Sequence, residues 1–347
     1  MKQQLQTMMT FGRTFLLMIY LCQTAGLAYA QERMPRTSGF SGYIEVLGAY
    51  ISTNSQLNTD DDNRKTDSLN TSGKRVGEFK PLPLGLLRYT LAEKRTQFFL
   101  GVLPENVAQG QFQVEVGAWH LLPNGTGLRA SIVPLTPIEQ ETWEDPFVVG
   151  QNREGTDLNS FGVKLAAENI RGSGLTLKYG WARQSLDEEK SGTFLASQPD
   201  SLLSPGDLDD LDRDTHFHRI TAEYSFKISP RWRLTPRLRY TRGDAEGDAN
   251  SFHALTPQLS FLYFGKQLQA SINASVKGEW YDRTHPVFNE TRRDNQLGLF
   301  AILGYKNPFG LKNFRIDWFN AFFRTTANIN FYESSNFITA IGIGYRF

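Results

Sequence analysis

The chain has 347 residues, a formal net charge of +1 and a mean hydropathy of −0.40. No internal segment is apolar for long enough to form a membrane helix, and neither the balanced charge nor any basic-aromatic motif indicates a nucleic-acid partner. A β-barrel membrane protein is still compatible with this mean hydropathy, because each barrel strand combines an apolar face toward lipid with a polar face toward water.

The N-terminus has the layout of a secretory signal. Basic residues precede the apolar run 15–21, and Ala28-Tyr29-Ala30 follows, so cleavage is expected after Ala30. The sequence therefore predicts a signal peptide over 1–30 and one barrel domain over 31–347, with too few residues before the first strand for a plug. The only cysteine, Cys22, lies in the signal, which leaves the mature chain without a thiol.

Alternation of apolar and polar residues predicts about fourteen strands. They are expected at 41–52, 81–91, 96–104, 111–121, 127–135, 158–168, 174–184, 216–228, 231–242, 251–264, 267–281, 293–305, 311–325 and 335–347. Short links rich in Gly, Pro and Asn alternate with longer links at about 53–80, 105–110, 136–157, 185–215, 243–250, 282–292 and 326–334. This pattern is typical of an all-β, antiparallel up-and-down transmembrane barrel with short periplasmic turns and longer extracellular loops.

The strand predicted at 267–281 has the clearest alternation. Its even positions are apolar or small from Leu268 to Trp280, and its odd positions are polar from Gln267 to Glu279. Seven polar residues on one face cannot be buried in an apolar core, so they face water outside a soluble protein or inside a pore. The other face ends in Trp280-Tyr281, at the height of an aromatic girdle. In the strand at 231–242, Pro236 is expected to cause a kink or bulge.

The last strand, Phe337 to Phe347, alternates in the same way and ends on an aromatic residue. The closing strand of a soluble sandwich is one interpretation. Its pattern also resembles the assembly signal of Gram-negative outer-membrane β-barrels, which implies that the barrel-assembly machinery recognises Tyr345 and Phe347.

The first quarter of the mature chain carries a second resemblance. Gly39-Phe40-Ser41-Gly42, the stretch 58–63, Asp67-Ser68-Leu69-Asn70, Pro83-Leu84-Gly85 and Leu87-Arg88-Tyr89-Thr90 resemble a family of proteobacterial outer-membrane proteins catalogued as a domain of unknown function. The resemblance implies a barrel in the outer membrane and names no substrate.

Projection of the strands onto the inward face predicts more basic than acidic side chains there. The candidates for lumen selectivity are Arg219, Lys227, Arg233, Arg237, Arg239, Lys277 and Arg315. The other charged residues expected on this face are Arg88, Glu115, Arg129, Lys164, Lys178, Glu223, Glu279, Asp317 and Arg346. A water-filled lumen with this lining would favour anions through its field. Alternatively, the charges pair across strands and brace the wall.

The long links contain three further candidate sites. Carboxylates that could hold Ca²⁺ or Mg²⁺ are Asp60, Asp62, Asp207, Asp209 and Asp212, although a solvated charge run is the alternative. The stretch 142–150 resembles in position the constriction loop of general porins, but an ordinary solvated loop is expected. Asp214-Thr215-His216 resembles half of the catalytic site of omptin proteases, and Asp60-Asp61-Asp62 has the Asp-x-Asp spacing of the other half.

The resulting hypothesis is a non-enzymatic channel in the outer membrane of a Gram-negative bacterium, for passive diffusion of small hydrophilic solutes with a modest anion preference. The runner-up is a structural or adhesive barrel that binds divalent cations, lipopolysaccharide or surfaces through its acidic loops. It is favoured if the lumen charges are fully paired and the loops at 53–80, 136–157 and 185–215 close the mouth. An omptin-like protease is a minor alternative. Expected partners are outer-membrane lipid, lipopolysaccharide, the barrel-assembly machinery and the solutes, and no cofactor is predicted.

Overall fold

A single antiparallel sheet closes on itself in the computed structural model, which describes residues 37–104, 113–134 and 141–347. The segments are β1 (Gly39–Thr53), β2 (Val76–Thr90), β3 (Thr96–Val102), β4 (Val114–Leu121), β5 (Gly127–Val133), β6 (Glu141–Trp143), β7 (Gly155–Glu168), β8 (Leu175–Leu186), β9 (Thr215–Tyr224), β10 (Phe226–Lys227), β11 (Trp232–Ala245), β12 (Phe252–Phe264), β13 (Leu268–His285), β14 (Glu290–Lys306), β15 (Phe314–Ala327) and β16 (Ser334–Arg346). The short segment β6 pairs only with β7, and β9 and β10 form one wall strand interrupted at Ser225. The wall therefore has fourteen strands, and the predicted fold class is confirmed.

The first and last strands close the barrel. β16 pairs with β1 from Tyr43↔Arg346 to Thr53↔Asn336. Beyond this ladder, the amides of Gly42 and Phe347 each donate to the other residue's carbonyl oxygen, at 3.0 and 3.1 Å. Closure leaves no unpaired sheet edge at this seam, which is the condition for a sheet to lie in lipid. The signal peptide predicted at 1–30 lies outside the described residues.

The polarity of the two wall faces is the reverse of that in a soluble protein, with apolar side chains outside and polar side chains inside. On β13 the outward side chains Leu268, Ile272 and Val276 are 40 to 60% exposed, whereas the inward polar residues from Ser271 to Glu279 are buried. The same division recurs around the barrel, with exposed Leu, Ile and Val on β1, β9, β11, β14 and β16. A continuous apolar belt on a closed barrel is stable in a bilayer, and barrels with this division span the outer membrane of Gram-negative bacteria.

Loops 1 to 7 are the longer connections at one end of the barrel. They comprise residues 54–75, 103–113, 134–154, 187–214, 246–251, 286–289 and 328–333, and the structure describes loops 2 and 3 in part. Loop 4 contains two short helices, α1 (Thr193–Ala196) and α2 (Pro205–Asp209). Loop 6 is shorter than predicted, because β13 and β14 continue beyond the apolar belt. No helix in the described ranges is long and apolar enough to cross a membrane.

The strand irregularities differ from those predicted. Opposite Pro236 the ladder between β9 and β11 lacks pairs, but the register is the same on both sides, so the wall has an interruption rather than a bulge. A register shift occurs instead in β13, between Trp280 and Thr284. Tyr281 does not join the outer girdle with Trp280, because alternation turns it inward, where it is buried.

The strands β3, β4 and β5 are short, so the barrel wall is lower there than at the longer strands. β3 pairs with β2 only from Leu86↔Gly101 to Thr90↔Gln97, although β2 continues to Val76. Gly101 has a φ of +131°, and a Cβ there would collide with the carbonyl oxygen of Gly85. Beyond Gly101 the chain turns inward, since Val102 and Leu103 belong to apolar clusters inside the barrel. Glycine is therefore required where β3 leaves the wall.

The barrel interior is apolar on one side and polar on the other. The larger apolar cluster is built mainly from inward residues of β1, β14, β15 and β16. Its members include Leu47, Ile51, Phe300, Phe319, Phe323 and Ile338. The facing strands β4 to β13 carry most of the charged and hydroxyl side chains that line the remaining space.

Candidate site in the barrel lumen

Six of the seven lumen candidates lie on the inward face, below the loops. They are Arg219, Arg233, Arg237, Arg239, Lys277 and Arg315. Lys227 is opposite Arg233 in the register but is exposed, at the end of the strand near the short turns. Arg233 lies over the ring of Phe264, 5.6 Å from its centroid. Arg346 also lies at this end and is exposed.

Carboxylates hold many of these cations. Glu223 forms an ion pair with Lys178, at 3.1 Å, and accepts a hydrogen bond from Arg237 Nε, at 2.7 Å. Four further ion pairs brace the interior: Lys164–Glu115 at 2.6 Å, Arg129–Glu168 at 2.9 Å, Lys277–Glu279 and Arg315–Asp317. Cross-strand and same-strand pairing is therefore a substantial part of the lumen's electrostatics.

The charges are nevertheless unbalanced in the part of the lumen nearer the short turns. A cavity of ≈ 90 Å³ there is lined by Arg129, Lys164, Lys178, Arg219 and Arg239, with Glu115 and Glu168 as the acidic lining. Adding Arg237 and the Glu223 that it shares with Lys178, six cations face three carboxylates among the described residues. This basic cavity concentrates positive potential, because desolvated charges are screened less than exposed ones.

A larger cavity of ≈ 170 Å³ lies above it, beneath the loops. Its wall includes the pairs Lys277–Glu279 and Arg292–Asp294, the latter at 2.5 Å. The Arg292 guanidinium is 4.4 Å from the ring centroid of Tyr281 and 3.4 Å from that of Tyr332, so it is fixed from two sides. This upper cavity is lined by balanced ion pairs and aromatic rings, in contrast to the basic cavity.

Loops 1 and 3 are joined to each other over the mouth. The Arg153 side chain is fully buried, donates to the carbonyl oxygens of Gln56, at 2.9 Å, and of Asn63, and lies 4.6 Å from the ring of Trp143. The Trp143 indole N–H donates to the same Gln56 carbonyl at 3.0 Å. The two loop backbones also form an antiparallel bridge at Lys65↔Asn152.

Loop 4 binds the other side of loop 3. The Asp145 carboxylate accepts the backbone amides of Phe147, Gly192 and Phe194 at 2.9, 3.0 and 2.9 Å. Arg213 donates to the carbonyl oxygens of Trp143 and Glu144, both at 2.8 Å. The expectation of an ordinary solvated loop at 142–150 is therefore wrong, because its buried residues anchor neighbouring loops.

An apolar cluster completes the loop cap, a name used here for the joined loops 1, 3, 4, 6 and 7. Its buried members are Phe147, Leu211, Ile329 and Phe331, with Leu57, Leu69, Leu195, Val287, Phe288 and Tyr332 packed around them. Phe147, Leu211 and Arg213 also line the upper cavity. The loops thus form a packed lid on the described part of the lumen.

The acidic loop residues mostly serve the backbone. Asp60 accepts the amide of Asp62 at 3.0 Å, Asp207 forms a capping box with Ser204, and Asp212 accepts the amide of Asp214 at 2.8 Å. Partial burial raises the pKa of Asp212. Hydrogen bonds from Ser204 lower the pKa of Asp207. No group of three His, Cys, Asp or Glu side chains suited to a metal ion occurs within the described ranges. A metal role for Asp60, Asp62, Asp207, Asp209 and Asp212 stays a prediction.

Asp214 and His216, which form the Asp-x-His half of the suggested protease site, have separate partners. His216 lies on the outer face of β9 and stacks on Trp181, with ring centroids 5.8 Å apart. The Asp214 carboxylate accepts the backbone amide of Leu186 at 2.8 Å. Asp214 thus acts as a local brace for the chain between β8 and loop 4.

Sequence reasoning missed the residues that organise the cap, chiefly Arg153, Asp145 and Arg213. A signal was present for Asp145 and Arg213, since each is a charged residue close to large apolar loop residues, namely Trp143, Phe147 and Leu211. Solvated loops rarely contain so many large apolar residues. Their partners lie in other loops, however, and alternation within a strand carries no information on those contacts.

Comparison of the fold finds outer-membrane channels at low similarity. The structure of OccAB4 from Acinetobacter baumannii is 10% identical, with 90% of this chain and 99% of that chain covered, at a TM-score of 0.38. The outer membrane channel DcaP of the same species is 11% identical, with coverages of 92% and 100% and a TM-score of 0.41. The CymD monoaromatic hydrocarbon channel is 10% identical, with coverages of 97% and 93% and a TM-score of 0.43. These values are too low for any property of those proteins to be transferred to this chain.

Comparison of the sequence gives the family. None of the curated proteins matches the chain. A family model described as "Protein of unknown function (DUF2860)" matches residues 39–346, which comprise all fourteen wall strands. The predicted membership of an outer-membrane family catalogued by a domain of unknown function is thus confirmed, and the chain belongs to the DUF2860 family.

Proposed function

We propose that the protein is an outer-membrane channel for passive diffusion of small hydrophilic solutes, with a preference for anions. The observation that carries the proposal is the excess of six cations over three carboxylates around the basic cavity. Fixed cations in a narrow lumen raise the local concentration of anions and lower that of cations. The polar side of the interior offers hydroxyl and amide groups to a hydrated solute.

The loop cap favours a second candidate, a structural or adhesive barrel with a closed mouth. Loops 1, 3 and 4 meet over the lumen, as that candidate requires. The closed barrel also requires that all lumen charges are paired. The unequal numbers of cations and carboxylates around the basic cavity do not meet this requirement. For the channel, the cap implies that conduction depends on separation of loops that are packed in this conformation.

Single-channel recording distinguishes the two candidates. The refolded mature protein is inserted into a planar bilayer with a salt gradient, and the reversal potential is measured. We expect stepwise openings and an anion-directed reversal potential, which weakens when Arg237→Gln and Arg239→Gln are combined. Heat-modifiable electrophoretic mobility shows whether the barrel is folded. A folded barrel that never conducts would overturn the channel and favour the closed barrel.

A further inference from the structure

We infer that the basic cavity is a saturable binding site for a compact, multiply charged oxyanion, for which inorganic phosphate is the probe. The inference rests on the proposed channel function, because the ion must enter the lumen to reach the site. The channel proposed above needs only a general preference for anions, whereas this inference adds one defined binding site with a measurable affinity.

The strand register shows how the cations converge. One inward row across β7, β8 and β9 is Lys164, Gly180 and Arg219. The adjacent inward row across β8, β9 and β11 is Lys178, Thr221 and Arg239. In each row a small residue separates two cations, so no two like charges are directly opposite, an arrangement that would destabilise the sheet. The four long side chains instead surround one space.

Gly180 leaves that space open. A Cβ at this position would meet nothing closer than the carbonyl oxygen of Val163, at 3.8 Å. Lys164 and Arg219 flank it in the register, and all three residues line the cavity. At ≈ 90 Å³ the cavity suits a small oxyanion rather than a sugar or peptide.

The cations around the cavity outnumber the carboxylates. Glu115, Glu168 and Glu223 each contact basic partners, and their number is half that of the six cations. Removing cations from water without compensation is unfavourable, and an anion in the cavity would restore hydrogen bonds and charge balance together. An excess of several positive charges favours an ion that carries more than one negative charge over chloride.

The available donors match an oxyanion. Arg219 and Arg239 present planar guanidinium groups that can bind two oxygen atoms at once, and Lys164 and Lys178 add ammonium donors. The hydroxyl groups of Ser131 and Thr221 also line the cavity. Arg219 donates to Thr241 Oγ1 at 3.4 Å, a long contact that an anionic oxygen would readily replace.

The test measures phosphate binding to the folded barrel in detergent by titration calorimetry, and phosphate block of chloride current in a bilayer. We expect saturable binding that weakens at least about tenfold in Arg219→Gln, the scale of one lost charged hydrogen bond. Arg233→Gln is the matched control, since it removes the same charge from the lumen but lies over Phe264 outside the cavity lining. Equal weakening in both variants would overturn the site and leave only a general field.

A second variant keeps the charge constant. Gly180→Leu fills the cavity, so we expect loss of phosphate binding, whereas Gly48→Leu, on the outer face with open space around it, should bind as the wild type does. Unchanged phosphate affinity in folded Gly180→Leu would sink the inference. Saturable binding without any current would sink the channel alone, and an anion-selective current without saturation would sink the binding site alone.

Discussion

Arg153 is charged and yet fully buried, with an exposed fraction of 0%. Burial of such a group is costly unless hydrogen bonds replace its hydration, and here the two terminal nitrogens donate to carbonyl oxygens of loop 1, at Gln56 and Asn63. The ring of Trp143 covers one face of the guanidinium. One side chain of loop 3 thereby fixes the path of loop 1.

Replacement Arg153→Gln should therefore loosen loop 1. Loss of hydrogen bonds to buried carbonyl groups costs on the order of 1–3 kcal/mol, so trypsin cleavage after Arg64 or Lys65 in the folded barrel should accelerate at least about tenfold. Glu154→Gln is the control, because it removes only an exposed ion pair with Arg64 and should change the cleavage rate little. Equal cleavage rates in the two variants would show that Arg153 does not hold the loop.

Glu223 should set the balance of charge in the lumen. It is shared by Lys178 and Arg237, so Glu223→Gln leaves both cations without their carboxylate. We expect the reversal potential to move further in the anion direction, opposite to the effect of Arg219→Gln. Glu154→Gln, which lies in loop 3, again serves as the control. A reversal potential unchanged by Glu223→Gln would mean that permeating ions do not sense this part of the wall.

At the scale of elements, the sequence was sufficient to predict all fourteen strands and the inward face of six of the seven lumen candidates. Alternation has a period of two, so one correctly assigned residue such as Lys277 orients its whole strand. The assignment of Tyr281 to the outer girdle failed because it departed from that period. Strand ends were less accurate: β13 continues to His285, where polar residues above the lipid no longer show apolar alternation.

The ion pairs and the cap could not be predicted in the same way. Whether Arg237 reaches Glu223 depends on the register between two strands, and Asp145 finds its partners in a different loop. The point where β3 leaves the wall could not be predicted either, because the sequence does not distinguish Gly101 from other glycines in strands.

The position of Gly101 leads to a prediction for β3. Ala at this position must adopt a φ of +131° and collides with the backbone of Gly85, so Gly101→Ala should destabilise the barrel by about 1–3 kcal/mol or more. Gly48→Ala is the control, because no atom lies within 4 Å of a Cβ there. Heat-modifiable mobility and the urea midpoint of refolded protein measure the difference. Equal midpoints would mean that β3 can leave the wall without this backbone conformation.

At the scale of the whole molecule, the barrel combines a polar, basic lumen with a packed cap over its mouth. The wall alone would be a conduit, and the cap alone would be a closed surface. The bridge at Lys65↔Asn152 joins loops 1 and 3, flanked by backbone hydrogen bonds from Arg153 to Arg64 at 2.8 Å and from Gly150 to Thr66 at 2.9 Å. If solutes pass the mouth by separation of these loops, fixing this bridge should stop conduction.

A disulfide can fix it, because opposed residues of an antiparallel pair have the Cα separation that a disulfide needs. In the mature chain predicted here, which has no other cysteine, Lys65→Cys with Asn152→Cys should form one defined crosslink. We expect oxidised protein to lose its stepwise openings and dithiothreitol to restore them, while each single variant conducts under both conditions. Current that persists through the crosslinked barrel would place the solute path away from the contact of loops 1 and 3. The contact of loops 1 and 3 would then be a fixed part of the wall rather than a gate.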